Sequence, residues 1–182
     1  KHLLTYSEYT EDYGMIQIGG KSEGVIVYGI EKNKLSDIFN ISMNSSNNIK
    51  NDKQLINMTI GKDLAEIYNL TIGDSIDLFN IEEIRSPRLF KGKKIKISNI
   101  FNSGFPEYDK SVCFMGLLDA KNIFSYNDSS KGIIGTVKEP IEIDNKFSSI
   151  FSDIDLSKYK ITTWINRHSN VAKWLGAYKP PI

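Results

Sequence analysis

The chain of 182 residues has one cysteine, Cys113. That excludes a disulfide framework and a thiolate metal site. Its two histidines, His2 and His168, stand far apart and leave no histidine cluster for zinc. Neither sign of charge is in excess: 23 Lys and Arg against 22 Asp and Glu give a formal +1. A balance this close to neutral gives no general attraction to nucleic acid or to an acidic membrane. Long apolar runs are missing too. The longest, Val25-Ile26-Val27-Tyr28-Gly29-Ile30, is far short of the ~20 residues that cross a bilayer. The opening Lys1-His2-Leu3-Leu4-Thr5-Tyr6 has no leader pattern, and the chain reads as an excised soluble domain.

What is present suits a packed domain. Hydrophobic residues make up 40% and charged residues 25%, enough for both a core and a solvated shell. A chain of this length buries roughly two-thirds of its unfolded surface and needs no metal or disulfide staple.

The first thirty residues read as β. Gly14 to Ile18 and Gly24 to Ile30 flank Gly19-Gly20-Lys21, so Met15 to Ile30 is expected as a hairpin. Lys32 to Phe39 reads as a short helix with Leu35, Ile38 and Phe39 on one face. Ser42 to Lys53, rich in Asn and Ser, reads as a loop between subdomains. Leu55 to Ile60 is expected as a strand. Lys62 to Tyr68 is expected as a helix burying Leu64, Ala65, Ile67 and Tyr68, with Asn69 as a left-handed cap. Ser75 to Phe79 reads as a strand. So does Lys94 to Phe101, with Ile95, Ile97 and Ile100 inward. Val112 to Gly116, Gly132 to Val137 and Tyr159 to Ile165 are further expected strands. Leu118 to Phe124, Ile141 to Ser152 and a last segment capped by Asn166 and running through Leu175 are expected helices. Strands and helices mix without a βαβ repeat, so the expected class is α+β.

Catalytic patterns fail on context. Gly20-Lys21-Ser22-Glu23-Gly24 has the spacing of a nucleophile elbow, which requires a helix after the serine; Val25-Ile26-Val27-Tyr28 reads as strand. The same Gly-Lys-Ser lacks the first glycine of a phosphate loop, because Met15 stands there. Asp153/Asp155 and Glu82/Glu83 read as solvated surface charge. His168 has no nucleophile in its neighbourhood, and Cys113 reads as a buried small residue. No enzyme activity, cofactor or metal is expected.

Ile81 to Lys96 stands out. Arg85, Arg88, Lys91, Lys93, Lys94 and Lys96 face only Glu82 and Glu83, and Pro87, Leu89 and Phe90 lie among them. Two readings fit. One is a protruding hairpin with an apolar tip and a positive rim, offered to a partner protein. The other is an edge hairpin protected from aggregation by lysines and a proline.

The middle of the chain resembles a known family. Ile60-Gly61 through Leu64-Ala65 to Gly73-Asp74-Ser75-Ile76 looks like the "G-x-x-L-A-x-x-L…G-D-x-I" stretch of the periplasmic domains of MacB-type ABC transporter permeases. Phe101-Asn102-Ser103-Gly104-Phe105-Pro106-Glu107-Tyr108-Asp109 resembles the "F-x-S-G-x-x-E-Y-D" segment of the lipoprotein-releasing branch, LolC and LolE. Leu118-Asp119-Ala120 and Thr163-Trp164-Ile165 resemble later segments, in the same order.

The resemblance implies a two-lobed fold with mixed and antiparallel sheets and short helices. One lobe would comprise 1–51 with 111–182, and an inserted β-rich lobe would comprise 53–110. It implies an inner-membrane protein with this domain in the periplasm, joined to the membrane through flanking helices outside this chain. It also implies a partner permease, a cytoplasmic LolD-like ATPase, acylated lipoprotein cargo and a LolA-like periplasmic carrier. Arg85, Ser86, Pro87, Arg88, Leu89 and Phe90 are similar to the hook that recruits the carrier in LolC, though the hook is shorter here. A MacB-like efflux domain, or an FtsX-like regulatory one, would share the fold and bind another protein.

Overall fold

Gly19 and Gly20 join the first two strands with φ of 54° and 82°. Two successive positive φ angles make the two-residue turn whose twist suits a hairpin, and glycine enters that region without a Cβ penalty. The computed structural model describes residues 3–39, 41–45, 56–85, 91–124, 132–139, 142–152, 155, 157–158 and 160–167. By its internal contacts the chain forms two units, one of residues 5–135 and one of residues 1–4 with 136–182.

The larger unit is built on β1 (Leu3–Ile18) and β2 (Lys21–Ile30), whose hairpin pairs from Tyr9–Ile30 to Ile18–Lys21 and so reaches further back than the expected start at Met15. The other strands are β3 (Ser42–Ser45), β4 (Ile56–Gly61), β5 (Ser75–Asn80), β6 (Lys93–Asn102), β7 (Val112–Gly116) and β8 (Gly132–Val137). The order is β2-β7-β4-β6-β5-β1-β8, and β1 also pairs with β2. Six strands therefore close on themselves, while β3 pairs with β6 off the ring. Pairing is mixed: β2 with β7 and β4 with β6 are parallel, while β1 with β2, β1 with β5, β3 with β6, β4 with β7 and β5 with β6 are antiparallel. The ring draws strands from both 1–51 and 53–110.

Alternation along the strands creates two cores. Ile16, Val25, Val27, Met58, Ile60, Ile76, Leu78, Cys113 and Met115 belong to one. Tyr28, Ile30, Val112 and Phe114, on the opposite side of β2 and β7, belong to the other, with Leu35 and Ile38 of α1 (Leu35–Phe39). β6 serves both because of an irregularity. Met58 pairs with Ile97 but Thr59 pairs with Asn99, so Ser98 is an extra residue, and its hydroxyl donates to the Met58 carbonyl at 3.1 Å. The inserted residue reverses the alternation. Ile95, Ile97 and Ile100 then face the first core, and Phe101 enters the second.

The helix α2 (Lys62–Tyr68) buries Leu64 and Ala65. Asn69 ends it at φ 51° and ψ 44°. Its N–H bonds the Glu66 carbonyl at 3.3 Å, and the Leu70 N–H bonds the Ala65 carbonyl at 2.8 Å. This is the Schellman arrangement, and Leu70 packs back on the core. Ile67 does not follow expectation: it is 53% exposed, because α2 has one turn on the core and Ile67 points away from it.

One further reading is corrected, and one helix is added. Ser42–Ser45 forms β3 rather than loop, from Ser42–Asn102 to Ser45–Asn99. Its backbone is satisfied by β6, and pairing overrides its low β propensity. Pro106–Ser111 is a helix, α3, that the strand-rich surroundings concealed; Pro106 sits in its first turn, where a missing N–H costs nothing. Helix α4 (Leu117–Ile123) follows β7 directly and buries Ala120 and Ile123.

The smaller unit holds α5 (Ile143–Ile150) and α6 (Trp164–Arg167). The rings of Phe147 and Phe151 lie 4.8 Å apart. Lys146 pairs with Glu139 and, at 2.9 Å, with Glu142. The expected strand over 159–165 is corrected: residues 160–163 have no regular structure, and Trp164 opens a helix. Thr163, not Asn166, is the capping residue. Its hydroxyl donates to Asp144 Oδ1 at 2.9 Å and accepts the Asn166 N–H at 3.3 Å. That side-chain cap decides the local structure against a β-rich composition.

Candidate docking site

The segment that the sequence marks for docking connects β5 to β6. These strands pair antiparallel from Ser75–Lys96 to Leu78–Lys93, so the connection leaves the ring at one place and returns beside it. Asn80, buried at the end of β5, accepts the Glu82 N–H on Oδ1 at 3.0 Å. That bond starts the 3-10 turn Ile81–Arg85. On the return side, Gly92 lies against the Phe79 ring: an added Cβ there would stand 2.7 Å from Phe79 Cζ. Lys91, Lys93 and Lys94 are exposed, as is Ile81. Arg85 closes the 3-10 turn; Ser86, Pro87, Arg88, Leu89 and Phe90 lie outside the described residues.

Phe79 belongs to a row that crosses three strands. Met15 of β1 pairs with Gly24 of β2 and with Phe79 of β5. Directly paired residues share a face. Their neighbours Ile16 and Leu78 fill the ring, so Met15 and Phe79 look outward. Tyr13 shares that face and is 65% exposed. Gly24 has nothing within 4 Å of an added Cβ. The sequence reading did not single out this face, since it exists only through the register of three strands.

The remaining chemical candidates have structural roles. Ser22 lies within β2 opposite Gln17, and the helix an elbow requires is replaced by strand. Cys113 is fully buried, and desolvation pushes its thiol up to about 12. Asp155 accepts the Ser157 N–H at 3.1 Å and hydroxyl at 2.6 Å, which hold its carboxyl below the usual range. Glu82 and Glu83 sit in the first turn of the 3-10 segment. Asp153 and His168 lie outside the described residues. Among the described residues no group of three or more acidic, Cys or His side chains could hold a metal ion. Among them, too, no helix is long and apolar enough to cross a membrane.

No protein-family model matches the chain, and no curated protein matches it in sequence. Solved structures do match in fold. The periplasmic region of MacB from Actinobacillus actinomycetemcomitans covers 100% of this chain, and 79% of that one is matched, with TM-score 0.55 and 13% identity. The extracellular domain of the noncanonical ABC-type transporter YknZ from Gram-positive bacteria matches 80% of this chain and 71% of its own, with TM-score 0.52 and 10% identity. The fold is therefore α+β, of the kind seen in the MacB periplasmic region, with a mixed sheet.

Proposed function

We propose that this chain is the periplasmic domain of an ABC-transporter permease of the lipoprotein-releasing kind. It recruits a soluble lipoprotein carrier through Arg85, Ser86, Pro87, Arg88, Leu89 and Phe90 and helps transfer acylated lipoprotein from the inner membrane. One observation carries the reading. In a fold shared with extracytoplasmic transporter domains, this basic, proline-containing segment spans the gap between the paired ends of β5 and β6. The domain itself performs no chemistry. ATP hydrolysis belongs to a separate cytoplasmic subunit, and a second permease completes the complex. Lobes of 1–51 with 111–182 and of 53–110 remain the proposed division of labour, the latter carrying the hook.

The physics of the task favours a docking projection. Each buried methylene is worth about 0.8 kcal/mol, so an acyl chain crossing water costs on the order of 10 kcal/mol. Donor and acceptor must be held together while the chain moves. Tethering the carrier raises its effective concentration at the exit site. Leu89 and Phe90 supply apolar anchors, and Arg85 and Arg88 set register and encounter rate against carboxylates of the carrier.

The test is calorimetry of the chain with the purified periplasmic lipoprotein carrier of the same organism. Binding is expected, and Arg88→Glu or Leu89→Glu abolishes it while the melting temperature stays unchanged. Unaltered affinity in both variants removes the hook. No binding by the unmodified chain removes the lipoprotein-releasing role. In that event the alternative, a MacB-like efflux or FtsX-like regulatory domain that shares the fold and binds another protein, takes its place.

A further inference from the structure

Thr10 is fully buried, and its hydroxyl oxygen bonds nothing among the described residues. Burying a hydroxyl without a hydrogen bond costs free energy, so such a group calls for a reason. Its surroundings explain how it is orphaned. Thr10 of β1 pairs with Gly29 of β2. A Cβ at Gly29 would collide with both Thr10 Oγ1 and the Ala120 Cβ of α4. The hydroxyl therefore points into the space that glycine leaves, beside the methyl group of α4. A further methyl group does not fit there, and a water molecule, of about the same size, does not fit either.

The same place is a fork in the sheet. The β1–β2 ladder ends one pair further on, at Tyr9–Ile30, and Thr5 to Glu8 continue without β2. The side-chain ties of that stretch are weak. Lys121 of α4 lies 3.5 Å from Glu8, whose side chain is 55% exposed, and such pairs add little to stability. Lys34 Nζ reaches Thr5 Oγ1 only at 3.4 Å. The Ser7 hydroxyl donates to the carbonyl of its own neighbour, Glu8. In α4 itself, Ile123 and Phe124 anchor the far end in the core, while Leu118 in the first turn is 74% exposed. The ring strands, by contrast, bury Met58, Ile60, Ile95, Ile97 and Cys113 completely.

We propose that the seat of α4 on Thr10 and Gly29 is a built-in joint. There the first turns of α4 and residues 5–8 of β1 open together while the six-strand ring stays closed. Thr10 keeps the joint loose. Its hydroxyl gains a hydrogen bond, to water, only when the seat opens, so opening is easier than it would be on an apolar seat. The larger unit thereby has an element that changes shape without melting its core. The inference is independent of the carrier-recruiting reading, since it involves neither the docking segment nor a partner.

The experiment is native-state hydrogen exchange on the full chain, read by mass spectrometry, with melting temperatures measured alongside. In the unmodified chain, amides of 5–8 and 121–124 are expected to exchange about tenfold faster than those of β4, β6 and β7. Thr10→Val keeps the shape of the side chain and removes the hydroxyl. It is expected to raise the melting temperature by about 2–4 °C and to slow exchange at 5–8 and 121–124 several-fold. Thr10→Ser keeps the hydroxyl and is expected to retain the fast exchange. Three results overturn the proposal. A Thr10→Val melting temperature no higher than that of the unmodified chain means that the hydroxyl already has a partner. Equal protection of α4 and the ring strands in the unmodified chain means that no joint opens. A higher melting temperature with the rates at 121–124 unchanged means that only global unfolding relieves the hydroxyl.

Discussion

The Asp109 carboxylate is bound three times by one residue, Ser103. The Ser103 N–H lies 3.0 Å from Oδ1 and 3.1 Å from Oδ2, and the Ser103 hydroxyl donates to Oδ1 at 2.5 Å. The same hydroxyl accepts the Phe105 N–H at 3.1 Å, and Gly104 turns the chain with φ 80°. Asp109 is 2% exposed, so these bonds replace its hydration. They fasten the end of β6 to α3.

Asp109→Ala should therefore destabilise the fold by about 1–3 kcal/mol, because it leaves a backbone N–H and a hydroxyl without their partner. Ser103→Ala should cost less, since the N–H bonds survive. Chemical denaturation of both variants checks the order; a Ser103→Ala loss exceeding that of Asp109→Ala contradicts this account.

Gly61 meets the backbone of the same aspartate. A Cβ at Gly61 would stand 1.9 Å from the Asp109 carbonyl oxygen, which is backbone and cannot rotate aside. Gly61 has an ordinary φ of −75°, so the requirement is for space rather than for a special dihedral. Gly61→Ala is expected to cost about 3 kcal/mol, near the top of the usual range for overpacking. A Gly24→Ala control, with open space at the site, should change stability by less than about 1 kcal/mol.

The difference between these two glycines marks how much the residues disclose on their own. The hairpin at Gly19-Gly20, the Asn69 cap and the inward isoleucines of β6 were legible, since each depends on neighbours within a few positions. The expectation for β6 extends past the irregularity at Ser98, because Ile100 was grouped with Ile95 and Ile97. What was not legible depends on distant pairing. Ser42–Ser45 becomes a strand only because β6 has an unfilled edge. Tyr13 and Phe79 share a face only because β5 adds to β1. Thr163 sits in a strand-like sequence, and its bond to Asp144, nineteen positions away, is invisible in the local pattern. For the docking segment, composition marks Ile81 to Lys96, only the resemblance narrows it to Arg85 to Phe90, and the fold adds the local contacts of Asn80 and Gly92 on either side.

Asn69 holds the left-handed conformation that terminates α2. Replacement by glycine should be neutral within about 0.5 kcal/mol, whereas Asn69→Val should cost about 1–2 kcal/mol, the penalty for a Cβ in that region. Equal melting temperatures for the two variants would remove the backbone argument.

Cys113 provides a pH signature. Burial raises its thiol from 9.0 to about 12, so the folded chain keeps the proton where an unfolded chain loses it. Below the unfolded pKa both states are protonated, and the group does not affect stability. As pH rises from about 9 towards about 12, the unfolded state gains by ionising, and stability falls. Cys113→Ala should flatten that alkaline decline, although it lowers stability at pH 7 by creating a small cavity. Thiol reagents should label the native chain at pH 8 only at the rate of opening, and denaturant should make labelling immediate.

The charge of the docking segment predicts how binding responds to salt. Arg85, Arg88, Lys91, Lys93, Lys94 and Lys96 against Glu82 and Glu83 give the region an excess of positive charge that the chain as a whole lacks. Lys91, Lys93 and Lys94 are exposed, so in the proposed docking they would attract a carboxylate-bearing partner through solvent rather than through buried pairs. Such attraction accelerates encounter and is screened, with a Debye length of about 10 Å at 0.1 M and about 3 Å at 1 M. Raising salt from about 0.05 M to about 0.5 M should slow association with the carrier about tenfold and leave dissociation nearly unchanged. Stopped-flow or surface-capture kinetics separates the two rates. An association rate indifferent to salt removes the steering role of the lysines, and a salt effect confined to dissociation shows that the charges are enclosed in the contact itself.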